Sequence, residues 1–260
     1  MRCDLFLFQG GFAASRSQAR MLIEAGSVII NGKTVSKPSA DVDENAENHV
    51  EILEALPFVS RGGTKLDFAL ETFGLSVEGC SALDVGASTG GFTDCLLKRG
   101  ACRVVAVDSG ENQMAKSLRE DERVLCIEKY NARYMTEGDF PFTPDVAVMD
   151  VSFISQTLIL SPLSSVLKDG GLLVSLIKPQ FEVGRSAVGK KGIVKKASDR
   201  TEAIRRVISI GASCGLGCFA LVRSPITGGD GNVEFLAAFR KGAQNTVSDK
   251  EIKKVTEGQS

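Results

Sequence analysis

Residues 83–94 read Leu-Asp-Val-Gly-Ala-Ser-Thr-Gly-Gly-Phe-Thr-Asp, where an apolar run breaks into a glycine-rich turn and restarts as a helix. The apolar residues end at Val85, and Phe92 to Arg99 has helical character until Gly100 closes it. A strand, a glycine turn and a helix start in this order make the crevice in which open parallel sheets hold nucleotides, because glycine lets the backbone approach the ligand. The spacing from Asp84 through Gly86 to Gly90 and Gly91 is D-x-G-x-x-x-G-G rather than G-x-G-x-x-G, and no phosphate-loop lysine follows. Dinucleotides and nucleoside triphosphates are thereby disfavoured. A cationic, phosphate-free nucleoside such as S-adenosylmethionine tolerates the Asp84 carboxylate, and Ser88, Thr89 and Phe92 complete its candidate loop.

Outward from this loop, strand-like and helix-like segments alternate, with strands expected at 81–85, 103–108, 124–127, 145–150, 172–178, 219–223 and 233–240. The rhythm predicts an α/β fold: a doubly wound, mostly parallel sheet of these strands, covered on both faces by helices. Only residues 224–232 separate the last two strands, too few for a helical crossover, so these are expected to run antiparallel. Asp108 ends the second strand 24 residues after Asp84, at the spacing of a carboxylate that holds ribose hydroxyls. Asn131, just past the third strand, is placed to read an adenine edge.

Ligands of such sheets sit at the carboxyl edge of the parallel strands, so polar residues that end apolar strands are the ones to weigh. Asp150 follows Val146-Ala147-Val148-Met149, and Lys178 follows Leu172-Leu173-Val174-Ser175-Leu176-Ile177. Glu234 opens the final strand, and an antiparallel strand starts on the edge where its parallel neighbours end. Lys65, in the helix before the first of these strands, closes the group from one side. His49 is the only histidine and lies in an acidic stretch, so Ser-His or Cys-His chemistry is disfavoured. Two lysines with two carboxylates suit methylation of a ribose hydroxyl. That alcohol is a very weak acid, and a lysine in cationic, partly desolvated surroundings can serve as its general base while carboxylates align the groups. Lys178 is the expected base.

Residues 1–56 read as a separate small α+β unit. A helix is expected near Asp4 to Gln9, a turn at Gly10-Gly11, and a second helix capped by Ser15 and ended by Gly26. Val28-Ile29-Ile30 leads into Asn31-Gly32, a strong hairpin signal, and another strand follows at 49–53. The boundary is expected near Leu56, with 57–63 a linker, 64–241 the larger domain and 242–260 a disordered tail. The length of 260 residues, 43% of them hydrophobic, accommodates one ordinary domain and a small module. The net charge of -1 excludes a uniformly basic nucleic-acid binder. Charge is segregated, however: Arg2, Arg16, Arg20, Lys33 and Lys37 face only Asp4 and Glu24 in the first 40 residues, and a second basic run spans 178–206. Seven cysteines without a C-x-x-C pair indicate neither a disulfide framework nor a metal site. No uncharged apolar stretch reaches membrane-spanning length, and a soluble cytoplasmic protein is expected.

The segments Asp84 to Asp94 (DVGASTGGFTD), Asp150 to Ser155 (DVSFIS), Lys178 to Glu182 (KPQFE), Ser224 to Gly228 (SPITG) and Gly231 to Leu236 (GNVEFL) resemble the TlyA family, ribosomal RNA 2'-O-methyltransferases often labelled hemolysins. The larger domain also resembles FtsJ-type methyltransferases. The resemblance implies a Rossmann-like sheet that binds S-adenosylmethionine, with the family's catalytic tetrad on Lys65, Asp150, Lys178 and Glu234. Residues 1–56 resemble the RNA-binding fold of ribosomal protein S-four through Arg2-x-Asp4, Ser15-Arg16, Ala19-Arg20, Gly26 and 28–32. RNA contacts are accordingly expected from Arg2, Ser15, Arg16, Arg20 and Lys33, joined by Arg61, Lys190 and Lys191. Where the family pattern has Gly-Tyr-Gly-Gln after the second strand, this chain has Gly110-Glu111-Asn112-Gln113, and 195–201 also departs.

The implied partner is ribosomal RNA, with cytidine as the modified nucleotide, or the ribosomal subunits that contain it, with no membrane and no obligatory protein partner. Two other readings compete: an RNA-binding assembly factor without catalysis, and a membrane-active hemolysin-like protein. Intact acid and base positions favour the enzyme over the first, and the lack of a long apolar segment counts against the second.

Overall fold

The computed structural model describes residues 1–258 apart from 25–26, 36, 45, 53–56, 185–186 and 229–230. The chain divides into two compact units, Met1–Arg61 and Gly62–Ser260. The expected boundary at Leu56 and the helix end at Gly26 fall outside the described residues.

In the first unit, α1 (Cys3–Gln9) and α2 (Arg16–Glu24) pack with a small antiparallel sheet of β1 (Val28–Ile30), β2 (Lys33–Thr34) and β3 (Val50–Ile52), β1 lying in the centre. The hairpin signal is realised: Ile30 pairs with Lys33 across Asn31 at φ 52 and Gly32 at φ 75. Two successive positive φ values are what a type I′ turn requires, and asparagine and glycine accept them at least cost. Leu7, Ile23 and Val28 are fully buried in the core between helices and sheet.

The second unit begins on α3 (Arg61–Thr72), so the expected linker 57–63 is shortened by the helix. Gly62 and Gly63 read as turn residues, but here they form the first helical turn. Burial of Leu66, Ala69 and Leu70 on the same helix offsets their low propensity. The sheet comprises β4 (Ser81–Val85), β5 (Arg103–Val107), β6 (Val124–Ile127), β7 (Val146–Met149), β8 (Leu172–Ile177), β9 (Leu216–Arg223) and β10 (Phe235–Lys241). Their order is β6-β5-β4-β7-β8-β10-β9. All pairings are parallel except those of β10, which runs antiparallel to both β8 and β9. The central strands are buried on both faces because helices cover them. These are α4 (Gly91–Lys98), α5 (Lys116–Arg119), α6 (Leu160–Val166), α7 (Pro179–Glu182) and α8 (Ala197–Ser213), with α9 (Asp249–Glu257) at the C-terminus.

The helix α9 corrects the expected disordered tail. Ser248 Oγ accepts from the Glu251 amide at 3.3 Å, and the Glu251 carboxylate accepts from the Ser248 amide at 2.7 Å. This reciprocal cap starts the helix, and burial of Ile252 and Thr256 holds it against the domain.

Candidate active site

The chain leaves β4 and turns at Gly86, whose φ of 87 and close approach to β7 both require glycine: a Cβ there would stand 2.6 Å from the Asp150 carbonyl oxygen. Ser88 also takes a positive φ, 46, and Gly90 at φ 91 caps α4, where a Cβ would overlap Leu118. Because β5 and β7 flank β4 on opposite sides, the connections diverge above it and open a cleft. The cleft encloses about 410 Å³, and Gly86, Ser88, Asp108, Asn131, Asp150 and Phe153 are among its lining residues. Thr89, Gly90, Gly91 and Phe92, also expected at the ligand, are not among the lining residues. Gly91 and Phe92 are buried in the first turn of α4, and the Thr89 carbonyl accepts from the Ala115 amide, so these residues support the loop from behind.

Asp84 ends up fully buried under the loop. Its Oδ2 accepts from the Thr93 hydroxyl at 2.7 Å, while Oδ1 is buried without a hydrogen-bond partner. Burial above all, with Asp150 and Asp108 as nearby like charges, pushes its carboxyl up to about 7, the Thr93 hydrogen bond opposing this. Asp108 accepts from the backbone amides of Ser88 at 2.8 Å and Gly110 at 2.6 Å, which leaves acceptor capacity on each oxygen for a ligand hydroxyl. Gln113 joins this corner by accepting from Ser88 Oγ at 3.0 Å. Asn112, at the place of a family glycine, takes φ 56, a left-handed conformation that asparagine tolerates. Asn131 caps a short turn, its Oδ1 accepting from the Arg133 amide at 3.3 Å.

The four residues of the expected tetrad form two ion pairs. Lys178 Nζ stands 2.6 Å from Asp150 Oδ1 and also donates to Ser152 Oγ at 2.7 Å. Lys65 Nζ meets Glu234 Oε2 at 2.5 Å, both side chains being buried. Register explains why three of the four share an edge. Phe235 pairs with Ile177, so Glu234 precedes β10 where Lys178 follows β8, and Asp150 ends the adjacent β7. Gly228 lets its loop close over Glu234, since a Cβ there would overlap Oε1.

Two further contributors lie inside the quoted motifs but had no role assigned from the sequence. Glu182, buried, accepts from Ser155 Oγ at 2.5 Å and from the Gln156 amide at 2.9 Å, tying the turn after Asp150 to the helix after Lys178. Burial pushes its carboxyl upward. Phe153 is 93% exposed at φ 63, its ring 5.4 Å from that of Phe181. A bulky residue held in the left-handed region with its ring in solvent is uncommon, and such strain concentrates at ligand-facing positions. The DVSFIS motif was the available signal.

In the first unit the expected RNA-contacting residues divide. Arg2 and Arg16 both donate to the buried carboxylate of Asp4, at 3.0 and 2.9 Å, and the Arg2 hydrogen bond foremost holds that carboxyl well below its usual range. Ser15 Oγ accepts from the Gln18 amide at 3.1 Å as a helix cap. Arg20 and Lys33 are exposed, Arg61 is half-buried, and in the second unit Lys190 and Lys191 are exposed.

A seven-stranded sheet with one antiparallel strand, a glycine-rich loop after its central strand and charged residues at the carboxyl edge define an α/β methyltransferase. The FtsJ-like methyltransferase family matches residues 58–241, and the S4 domain matches residues 1–48. The chain is 40% identical over 249 residues to the 16S/23S rRNA (cytidine-2'-O)-methyltransferase TlyA of Mycobacterium tuberculosis, covering 96% of this chain and 93% of that protein. It is 42% identical over 240 residues to Hemolysin A of Brachyspira hyodysenteriae, covering 92% and 99%. A solved structure from Streptococcus thermophilus that carries a hemolysin name superposes with a TM-score of 0.81 at 43% identity, covering 100% of this chain and 95% of that one. The chain belongs to the FtsJ-like methyltransferase family, whose members use S-adenosylmethionine. Among the described residues no helix is long and apolar enough to cross a membrane.

Proposed function

We propose that the chain transfers the methyl group of S-adenosylmethionine to a ribose 2'-hydroxyl of ribosomal RNA, with cytidine as the target nucleotide. The observation that carries this reading is the pair of lysine–carboxylate contacts, Lys178–Asp150 and Lys65–Glu234, on the sheet edge beside the loop. The S4 domain match and the TlyA relative supply the substrate class.

The cleft suits the cofactor. Its volume of about 410 Å³ lies in the usual range for small-molecule sites. It contains no lysine for a phosphate among its lining residues, and the carboxylates of Asp108 and Asp150 there favour a ligand carrying positive charge. Gly86, Ser88 and Asp108 would hold the ligand, with Asn131 at the base. Bound there, S-adenosylmethionine supplies an electrophilic methyl on a sulfonium. Lys178, in its amine form, accepts the 2'-hydroxyl proton at Nζ. Asp150 Oδ1 and Ser152 Oγ fix the direction of that nitrogen. Glu234 and Lys65 hold the ribose side of the edge, and Phe153 offers its ring as a stacking surface for a base turned out of its helix.

Incubating the protein with ribosomal RNA and methyl-labelled cofactor, then mapping 2'-O-methyl sites, tests the reading directly. Lys178→Ala should lose about a hundredfold to ten-thousandfold in turnover while cofactor and RNA affinities stay near parental. Near-parental turnover of Lys178→Ala with saturating RNA would move the base elsewhere, and label on a base rather than a ribose would reject the reaction.

A further inference from the structure

Segment 189–196 carries Lys190, Lys191, Lys195 and Lys196, all exposed and none in an ion pair among the described residues. Unpaired surface lysines are ordinary. What sets these apart is the hydrogen bonding of the backbone beneath them. Gly189 donates to the Ile193 carbonyl at 3.1 Å and Gly192, at φ 75, donates to the Gly189 carbonyl at 2.8 Å, closing a turn with Lys190 and Lys191 at its centre.

Two side chains pin this turn. Asn232 is 1% exposed: its Oδ1 accepts from the Val194 amide at 3.0 Å and its Nδ2 donates to the Gly192 carbonyl at 2.8 Å. The Asn232 carbonyl accepts from the Gly228 amide at 2.9 Å, and Glu234 follows two residues later. The same short loop therefore fixes a catalytic-edge carboxylate and the lysine turn. From the other side, Arg200 donates through Nη1 to the Lys195 carbonyl at 2.8 Å and through Nη2 to the Thr256 carbonyl of α9 at 3.0 Å. Arg200 thus turns its Nη donors to carbonyl groups rather than to a carboxylate, while its Nε is buried without a hydrogen-bond partner. Arg223, exposed at the end of β9 beside Phe235, adds a like charge close to it, and Asp199 is a weaker opposite influence.

Cations with no counter-charge among the described residues, on a backbone tied by several hydrogen bonds, suit a partner whose anions come at fixed spacing. A phosphodiester backbone has that property, and phosphate contacts set register rather than sequence. We propose that 189–196 is a docking arm for the RNA backbone flanking the target ribose, with Asn232 and Arg200 as positioning residues that hold it in register with Glu234. This rests on the RNA methyltransferase reading and adds the device that aligns the substrate.

The test uses the full chain, protein-free ribosomal RNA and intact ribosomal subunits, with binding followed across salt and methylation followed by labelled cofactor. The double variants Lys190→Gln with Lys191→Gln, and Lys195→Gln with Lys196→Gln, should each lower the steepness of the log affinity against log salt plot by about 1 to 2. Each should raise KM for RNA about tenfold with a smaller effect on kcat and parental cofactor affinity. Asn232→Ala should raise KM and lower kcat together at temperatures well below its melting point, because the arm and Glu234 loosen at once. Asn232→Asp, which keeps the acceptor to Val194 but turns an oxygen instead of a donor toward the Gly192 carbonyl, should recover neither. Parental KM and salt dependence in both lysine variants would overturn the arm, and so would a defect seen with intact subunits but not with protein-free RNA, since the arm would then meet a protein. A parent that binds RNA through these lysines yet methylates none of it would instead reject the reaction on which the proposal rests.

Discussion

Asp84 is a buried carboxylate whose proton is held by its surroundings. With the folded carboxyl raised to about 7 by burial, the folded state binds the proton more tightly than the unfolded chain does. That contribution to stability is fully present below the ordinary carboxylate range and is lost as pH rises through about 7, with an upper bound of about 4 kcal/mol. Asp84→Asn should therefore unfold at higher denaturant than the parent at pH 8 and show little difference at pH 4. Equal pH dependence in denaturant melts of parent and variant would show that Asp84 is not the group that titrates. Phe153 makes a separate case: base stacking on an aromatic ring is worth about 1–3 kcal/mol, so Phe153→Ala should raise KM for RNA while leaving the melting temperature alone. A parental KM would remove the ring from the substrate path. The charged edge residues were legible in the sequence because each ends or begins an apolar strand, as Asp150, Lys178 and Glu234 do. The roles of Asn232 and Glu182 were not, although both lie inside quoted motifs, since the groups they hold are 38 and 26 residues away and only the fold brings them together.

At the level of elements, the strands were readable for a physical reason. A parallel strand covered on both faces shows an unbroken apolar run, as in Val104 to Val107 and Val146 to Met149, all buried. The antiparallel sense of β10 followed from the shortness of its connection to β9. The C-terminal helix escaped because Lys250, Lys253 and Lys254 dominate its composition, so its narrow buried stripe was masked, although Ser248 and Glu251 carry the capping signature. Ile252, 4% exposed, anchors that helix within the main core. Ile252→Ala should cost about 2–4 kcal/mol in denaturant unfolding, within the usual range for emptying a buried aliphatic site. Loss of less than a few tenths would mean that the helix is not held to the domain. Because Thr256 receives Arg200, the same variant should also weaken RNA binding, a coupling that a disordered tail could not produce.

For the molecule as a whole, a net charge of -1 must still be reconciled with the polyanionic substrate proposed for it, and the reconciliation lies in which cations are already engaged. In the first unit Arg2 and Arg16 share Asp4, whose carboxylate is completely buried, whereas Arg20 and Lys33 are exposed. The two kinds of cation should respond differently to removal. Because the Asp4 carboxyl is held low by its arginines, its stabilisation is present above the ordinary carboxylate range and lost as pH falls below it. Arg2→Ala should leave Asp4 with one partner, lower the unit's unfolding midpoint at neutral pH and narrow its gap from the parent in acid, where the carboxylate is protonated and the pair is broken in both. Lys33→Ala should leave unfolding unchanged and instead reduce the salt dependence of RNA binding by about 0.7 to 0.9, the share of a single phosphate that the lysine would neutralise. Thermal unfolding followed in parallel with binding titrations at several salt concentrations separates the two. A Lys33→Ala variant with parental salt dependence would take this residue out of the RNA surface. An Arg2→Ala variant that lost RNA affinity with no change in unfolding would mean that Arg2 meets phosphate directly and that its bond to Asp4 yields when RNA arrives.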